Sequence, residues 1–152
     1  LFKSQARRGR RMTLLRLTVQ TGGPGCHDIT DRIAGWLGKI AAAEGVVTVF
    51  LRHTSASLLI QENADPDVQR DLLAWLDRLA PPADAPSMGW ITHRAEGPDD
   101  MPAHIKAAVL PTSLQILVAG GRMVLGTWQG IYLVEHRRAP HRREVVAKFQ
   151  AG

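Results

Sequence analysis

A period of two recurs in several segments spread from one end of the chain to the other. Leu15, Leu17 and Val19 alternate with Arg16, Thr18 and Gln20, the pattern of a strand with one face buried. Leu114, Ile116 and Val118 repeat that alternation. Val46 to Arg52 is a β-branched and apolar run that reads as a largely buried strand, and Ser57 to Glu62, Met123 to His136 and Glu144 to Phe149 read as further strands. Gly120-Gly121 between two of them is a hairpin turn.

Helical spacing interrupts this pattern. After the break at Gly22-Gly23-Pro24-Gly25, the residues Ile29, Ile33, Trp36, Leu37 and Ile40 recur at helical intervals behind the possible caps Asp28 and Thr30, and Gly45 closes the segment. Asp65-Pro66 is a second helix start, because the aspartate can cap exposed amides and the proline has the φ angle of a first helical position. Val68, Leu72, Trp75, Leu76 and Leu79 form its apolar stripe, expected to pack on a sheet. The proline-rich stretch from Pro81 to Pro86 is a surface connection, Trp90 to Gly97 is ambiguous, and Pro102 to Leu110 reads as helical. These elements predict a single α+β domain with two principal helices.

A chain of 152 residues is one domain's worth, and no apolar run approaches the roughly 20 residues of a membrane span. No membrane partner is expected. The net charge of +5 invites a nucleic-acid reading. All of it, however, lies in Lys3, Arg7, Arg8, Arg10 and Arg11, with no acid among residues 1–12, so the body is electrically balanced. We therefore expect a basic N-terminal extension over residues 1–11, a domain over 12–152 and no nucleic-acid partner. Cys26 is the sole cysteine and no secretory signal pattern is present, which points to the cytoplasm.

Three clusters carry the residue types of chemistry. His53 shares strand parity with Val47, Val49 and Leu51, and Thr54, Ser55 and Ser57 follow it. It reads either as a core histidine with a backbone partner or as a site imidazole, with Glu62-Asn63 at the end of the next strand. The second cluster runs from His93 through Glu96, Asp99 and Asp100 to His104. Imidazole and carboxylate are common ligands of zinc and similar ions, although this spacing is not itself a metal signature. The third is Gly126-Thr127-Trp128-Gln129-Gly130-Ile131 followed by Glu135, whose parity aims it inward, where a lone carboxylate is costly. Arg142 and Arg143 are its candidate partners. They form either a structural ion pair or an anion site, and the reading taken forward pairs Glu135 with Arg142.

In order along the chain, His53-Thr54-Ser55-Ala56-Ser57, Glu62-Asn63, His93 with Glu96-Gly97, Pro102-Ala103-His104-Ile105-Lys106 and Gly126-Thr127-Trp128-Gln129-Gly130-Ile131 resemble the YjbQ family, also called the secondary thiamine-phosphate synthase family, from about Met12 to Gln150. The resemblance implies mixed or antiparallel sheets packed as a sandwich and a homotrimer with sites near subunit contacts. It also implies a divalent metal, zinc first and magnesium second, on His53, His93 and His104. The implied activity joins a hydroxymethylpyrimidine diphosphate to a thiazole phosphate with release of pyrophosphate, as a secondary reaction. The resulting expectation is a transferase acting on a small phosphorylated substrate. Its catalytic residues are His53, Asp100, His104 and Glu135, and Ser55, Asn63, Gln129, Arg142 and Arg143 hold substrate or anion. A metal-dependent hydrolase and a non-enzymatic trimeric metal- or metabolite-binding protein are the alternatives.

Overall fold

The computed structural model describes residues 14–152, so the expected basic extension and its boundary lie outside the described residues. The strands are β1 (Leu14–Thr21), β2 (Gly25–Asp28), β3 (Gly45–Leu51), β4 (Ala56–Glu62), β5 (Ser113–Ala119), β6 (Arg122–Met123), β7 (Gln129–Glu135) and β8 (His141–Ala151), and the α-helices are α1 (Thr30–Lys39), α2 (Pro66–Leu79) and α3 (Asp100–Val109). Every strand pair is antiparallel. Among the described residues the sheets, expected as mixed or antiparallel, are antiparallel: a five-stranded sheet in the order β1-β8-β3-β5-β6 and a three-stranded sheet in the order β2-β7-β4.

The core explains why the alternation was so regular. Leu17 and Val19 of β1, Val47 and Val49 of β3, Ile116 and Val118 of β5, and Val145 and Ala147 of β8 face inward. There they meet Leu58 of β4 and Ile131 and Leu133 of β7 from the smaller sheet, with Ile33 and Leu37 of α1 in the same cluster. The sheets thus form a sandwich whose two inner faces share one core. Gly45 is needed at the start of β3, because its φ is 153° and a Cβ there would stand 2.0 Å from the Gln150 carbonyl oxygen of β8. Gly120 and Gly121 turn β5 into β6 with φ of 58° and 77°.

Three segments depart from expectation. β2 starts on the last residue of the expected break, Gly25, and ends on Asp28, expected as a helix cap; four residues are too few to show alternation, and its backbone pairs with β7 from Gly25–Glu135 to Asp28–Tyr132. The expected strand Met123 to His136 divides into β6 and β7, with a turn between them. On α2 the cap is as expected, the Asp65 carboxylate accepting the Asp67 amide at 2.9 Å. The helix, however, rests on the outer face of the small sheet through Leu73 and Leu76, against Tyr132 and Val134. Trp75 and Leu79 of the expected stripe stay 51% and 44% exposed.

Candidate functional site

The first turn of α3 carries a close arrangement of titratable groups. Asp100 and His104 stand one helical turn apart on one face, and Asp100 is 2% exposed. Its Oδ2 lies 2.7 Å from His93 Nε2, and its Oδ1 receives the Arg137 guanidinium. Its backbone carbonyl accepts from His104 Nδ1 at 2.7 Å. A carbonyl can only accept, so the neutral His104 ring carries its proton on Nδ1 and a lone pair on Nε2. That Nε2 lies 3.3 Å from the Thr54 hydroxyl, which follows β3. By the same logic His93 donates from Nε2 to the carboxylate and keeps a lone pair on Nδ1. The two rings meet edge to face with centroids 5.9 Å apart.

Arg137, which the sequence reading missed, clamps this loop to the end of β7. Its Nε donates to Asp99 Oδ2 at 3.0 Å and its NH2 to the Glu96 carbonyl at 3.2 Å. Burial pushes the Asp99 carboxyl up, but the Arg138 amide and the Arg137 guanidinium outweigh it and hold the group below the ordinary range. Arg137 shares the parity of Glu135 two residues earlier, and that was the available signal.

Beneath the cluster lies a buried ion pair. Glu135 is fully buried and Arg143 is 3% exposed. Arg143 donates from Nε to Glu135 Oε1 at 2.8 Å and from NH2 to Oε2 at 2.5 Å, a bidentate pair. Thr21 and the His136 and Arg137 amides complete the carboxylate's partners. Burial raises the Glu135 pKa, yet the Arg143 and Thr21 hydrogen bonds hold it below the usual carboxylate value. The same guanidinium donates to the Ser55 carbonyl and hydroxyl at 3.1 and 3.0 Å. Glu135 thus pairs with Arg143, not Arg142. Arg142 is exposed and sits opposite Gln20 of β1, because one step along a strand reverses the side chain.

His53 is half-buried at the end of β3. Its Nε2 accepts the Glu144 amide at 2.8 Å and its Nδ1 lies 3.4 Å from Arg143 NH1. Burial, then the Arg143 charge, lowers its pKa. With both ring nitrogens facing N–H groups and a guanidinium alongside, His53 fits a strand-anchoring role better than that of a cation ligand. Among the described residues, the group drawn together with ligand geometry is His93, Glu96 and Asp100, whose ligand atoms lie within 4.8 Å of one another. An imidazole and two carboxylates suit zinc, manganese or magnesium. This differs from the expected set of His53, His93 and His104, although His104 stands beside it.

Asn63 and Gln129 lie elsewhere. Asn63 Nδ2 donates to the Thr127 and Gln129 carbonyls, and the Gly126 amide donates to the Gln129 side chain at 2.8 Å. Together they brace the turn that opens β7. Glu135 ends that strand, so at about 3.4 Å per residue the two groups are roughly 20 Å apart within one chain.

The profile of a family described as UPF0047 protein YjbQ-like matches residues 15–152. The chain is 46% identical over 130 residues to UPF0047 protein sll1880 of Synechocystis, covering 86% of each chain. It is 41% identical over 135 residues to UPF0047 protein YjbQ of Escherichia coli O157:H7, covering 88% of this chain and 94% of that one. A crystal structure of a YjbQ/UPF0047 family protein from Clostridium acetobutylicum superposes with a TM-score of 0.79 at 35% identity, over 90% of this chain and 99% of that one.

Proposed function

The chain belongs to the YjbQ-like UPF0047 family, and from that premise we propose that the cluster around Asp100 is an enzymatic, divalent-cation site acting on a small phosphorylated substrate. The observation that carries this reading is the double anchoring of two imidazoles by one buried aspartate, His93 through its carboxylate and His104 through its carbonyl. Metal-bound and catalytic histidines are commonly oriented in this way, with one nitrogen tied and the other presented. His93, Glu96 and Asp100 would hold the ion, Asp100 also orienting the His93 ring. The ion would neutralise charge on a diphosphate.

The specific reaction we propose is of thiamine phosphate synthase type. The bond between the pyrimidine methylene carbon and the diphosphate oxygen breaks, the thiazole nitrogen bonds to that carbon, and pyrophosphate leaves with the electron pair. His104 Nε2, when protonated, is placed to donate to the leaving oxygen, and Thr54 steadies the ring. The assembly in this reading is a homotrimer. Exposed Phe50, Trp75, Trp90 and Leu117 supply apolar surface for subunit contact, and light scattering with a mass of one or two chains would count against it.

The test is to mix hydroxymethylpyrimidine diphosphate with thiazole phosphate and zinc or magnesium, and to measure pyrophosphate and thiamine phosphate. Equal release of both products is expected, falling about 100-fold or more in His104→Ala, as for loss of a general acid. Pyrophosphate without thiamine phosphate would replace the transferase with a hydrolase, and no product from either would reject the reading.

A further inference from the structure

Helix α3 has a second working face. Asp100 and His104 look toward the cluster already described, while Asp99, Pro102 and Lys106 border a cavity of about 160 Å³ that His136, Arg138 and Asp77 also line. The polar groups here are deeply placed. Lys106 is 7% and His136 is 4% exposed.

Hydrogen-bond capacity shows what this cavity lacks. Lys106 Nζ donates to Asp77 Oδ1 at 2.6 Å, and an ammonium has two further protons. His136 Nε2 is 2.8 Å from the Ser57 hydroxyl, and its Nδ1 has no partner among the described residues. No fully buried side-chain nitrogen or oxygen there lacks a partner, so Nδ1 opens on the cavity. Asp99 is already bonded to the Arg137 guanidinium and the Arg138 amide, and Asp77 to Lys106. Burial, then the Lys106 charge, lowers the His136 pKa to about 4, so the ring is neutral at pH 7 and the positive charge comes from Lys106 and Arg138.

A cation in this space would meet Lys106 and Arg138 beside two carboxylates, Asp77 and Asp99, that Lys106 and Arg137 already offset, and an apolar ligand would leave the ammonium protons without acceptors. A small oxyanion satisfies them. We propose that this cavity binds a small oxyanion of phosphate type, as the free ion or the phosphate of a monoester, through Lys106, Arg138 and the Nδ1–H of His136, in the tautomer whose Nε2 accepts from the Ser57 hydroxyl. The site is separate from the Asp100 cluster, across α3 from it, and its occupancy does not depend on the metal or the reaction proposed above.

Inorganic phosphate and phenyl phosphate titrated calorimetrically into the full chain, in chelator-containing buffer, test the proposal. Saturable binding is expected, weakened about tenfold or more by Lys106→Met and by Arg138→Gln, since each removes a charge-assisted hydrogen bond. His104→Ala should leave the affinity unchanged. Tighter phenyl phosphate marks a monoester as the natural source, and tighter inorganic phosphate marks the free ion. Arg138 is exposed, so its variant folds even if Lys106→Met does not. The proposal is overturned by absent saturable binding, by unchanged affinity in Arg138→Gln, or by loss in His104→Ala. That last result would assign the anion to the Asp100 cluster and leave the functional reading standing.

Discussion

One step along β8 turns a side chain from solvent to core, and the difference between Arg142 and Arg143 follows from it. Arg143→Gln should strand the fully buried Glu135 carboxylate and cost about 3 to 5 kcal/mol in urea denaturation, whereas Arg142→Gln should stay within about 0.5 kcal/mol. Equal effects would contradict the pairing. His136 gives a pH signature. Its unfolded ring protonates near 6.5 and its folded ring at about 4. The neutral ring's contribution is therefore complete above pH 6.5 and is lost as pH falls toward 4, amounting to about 3 kcal/mol. His53, also lowered, adds in the same direction. Melting temperature should fall through this window before the carboxylates protonate, and His136→Phe should flatten the slope. A stability that is level from pH 6.5 to 4.5 would contradict this. Strand parity revealed that Glu135 points inward, but it did not choose between consecutive arginines, because the exact start of β8 sets which of them faces the core.

At the scale of elements, strands that bury one face were legible from their alternation, and the Asp65-Pro66 signature located the start of α2. β2 was not legible, since its four residues are recruited through backbone pairing with β7. The orientation of α2 was also hidden. Of the expected stripe only Leu76 is buried against the small sheet, and Leu73, outside that stripe, packs beside it, because tertiary packing rotates the helix relative to its local pattern. Gly45 ties β3 to β8 by close backbone approach, a constraint no local pattern reveals. Gly45→Ala must shift the Gln150 carbonyl or distort β3, at roughly 1 to 3 kcal/mol or more. Denaturant unfolding indistinguishable from wild type would show that the two strands separate freely there.

Over the whole molecule, the sandwich brings the ends of β3 and β7 and the head of α3 to one place. Ser55, Glu135 and Arg143 form a buried base edged by the half-buried His53, and His104 reaches it through Thr54, with His93 and Asp100 beside it. Among the described residues no helix is long and apolar enough to cross a membrane. The sequence clusters around His53 and His93 did converge, while Asn63 and Gln129 went to the far end of β7, a separation set by strand length. Which histidines can meet a cation depends on the ring partners, and those exist only in the folded chain. The most direct measurement is therefore zinc bound per chain after reconstitution and desalting, in wild type and in His93→Ala, an exposed position whose loss spares the core. The account predicts one zinc per wild-type chain, as for a single His/carboxylate site, and much less in His93→Ala. No stoichiometric zinc in wild type, or full retention in His93→Ala, would contradict it.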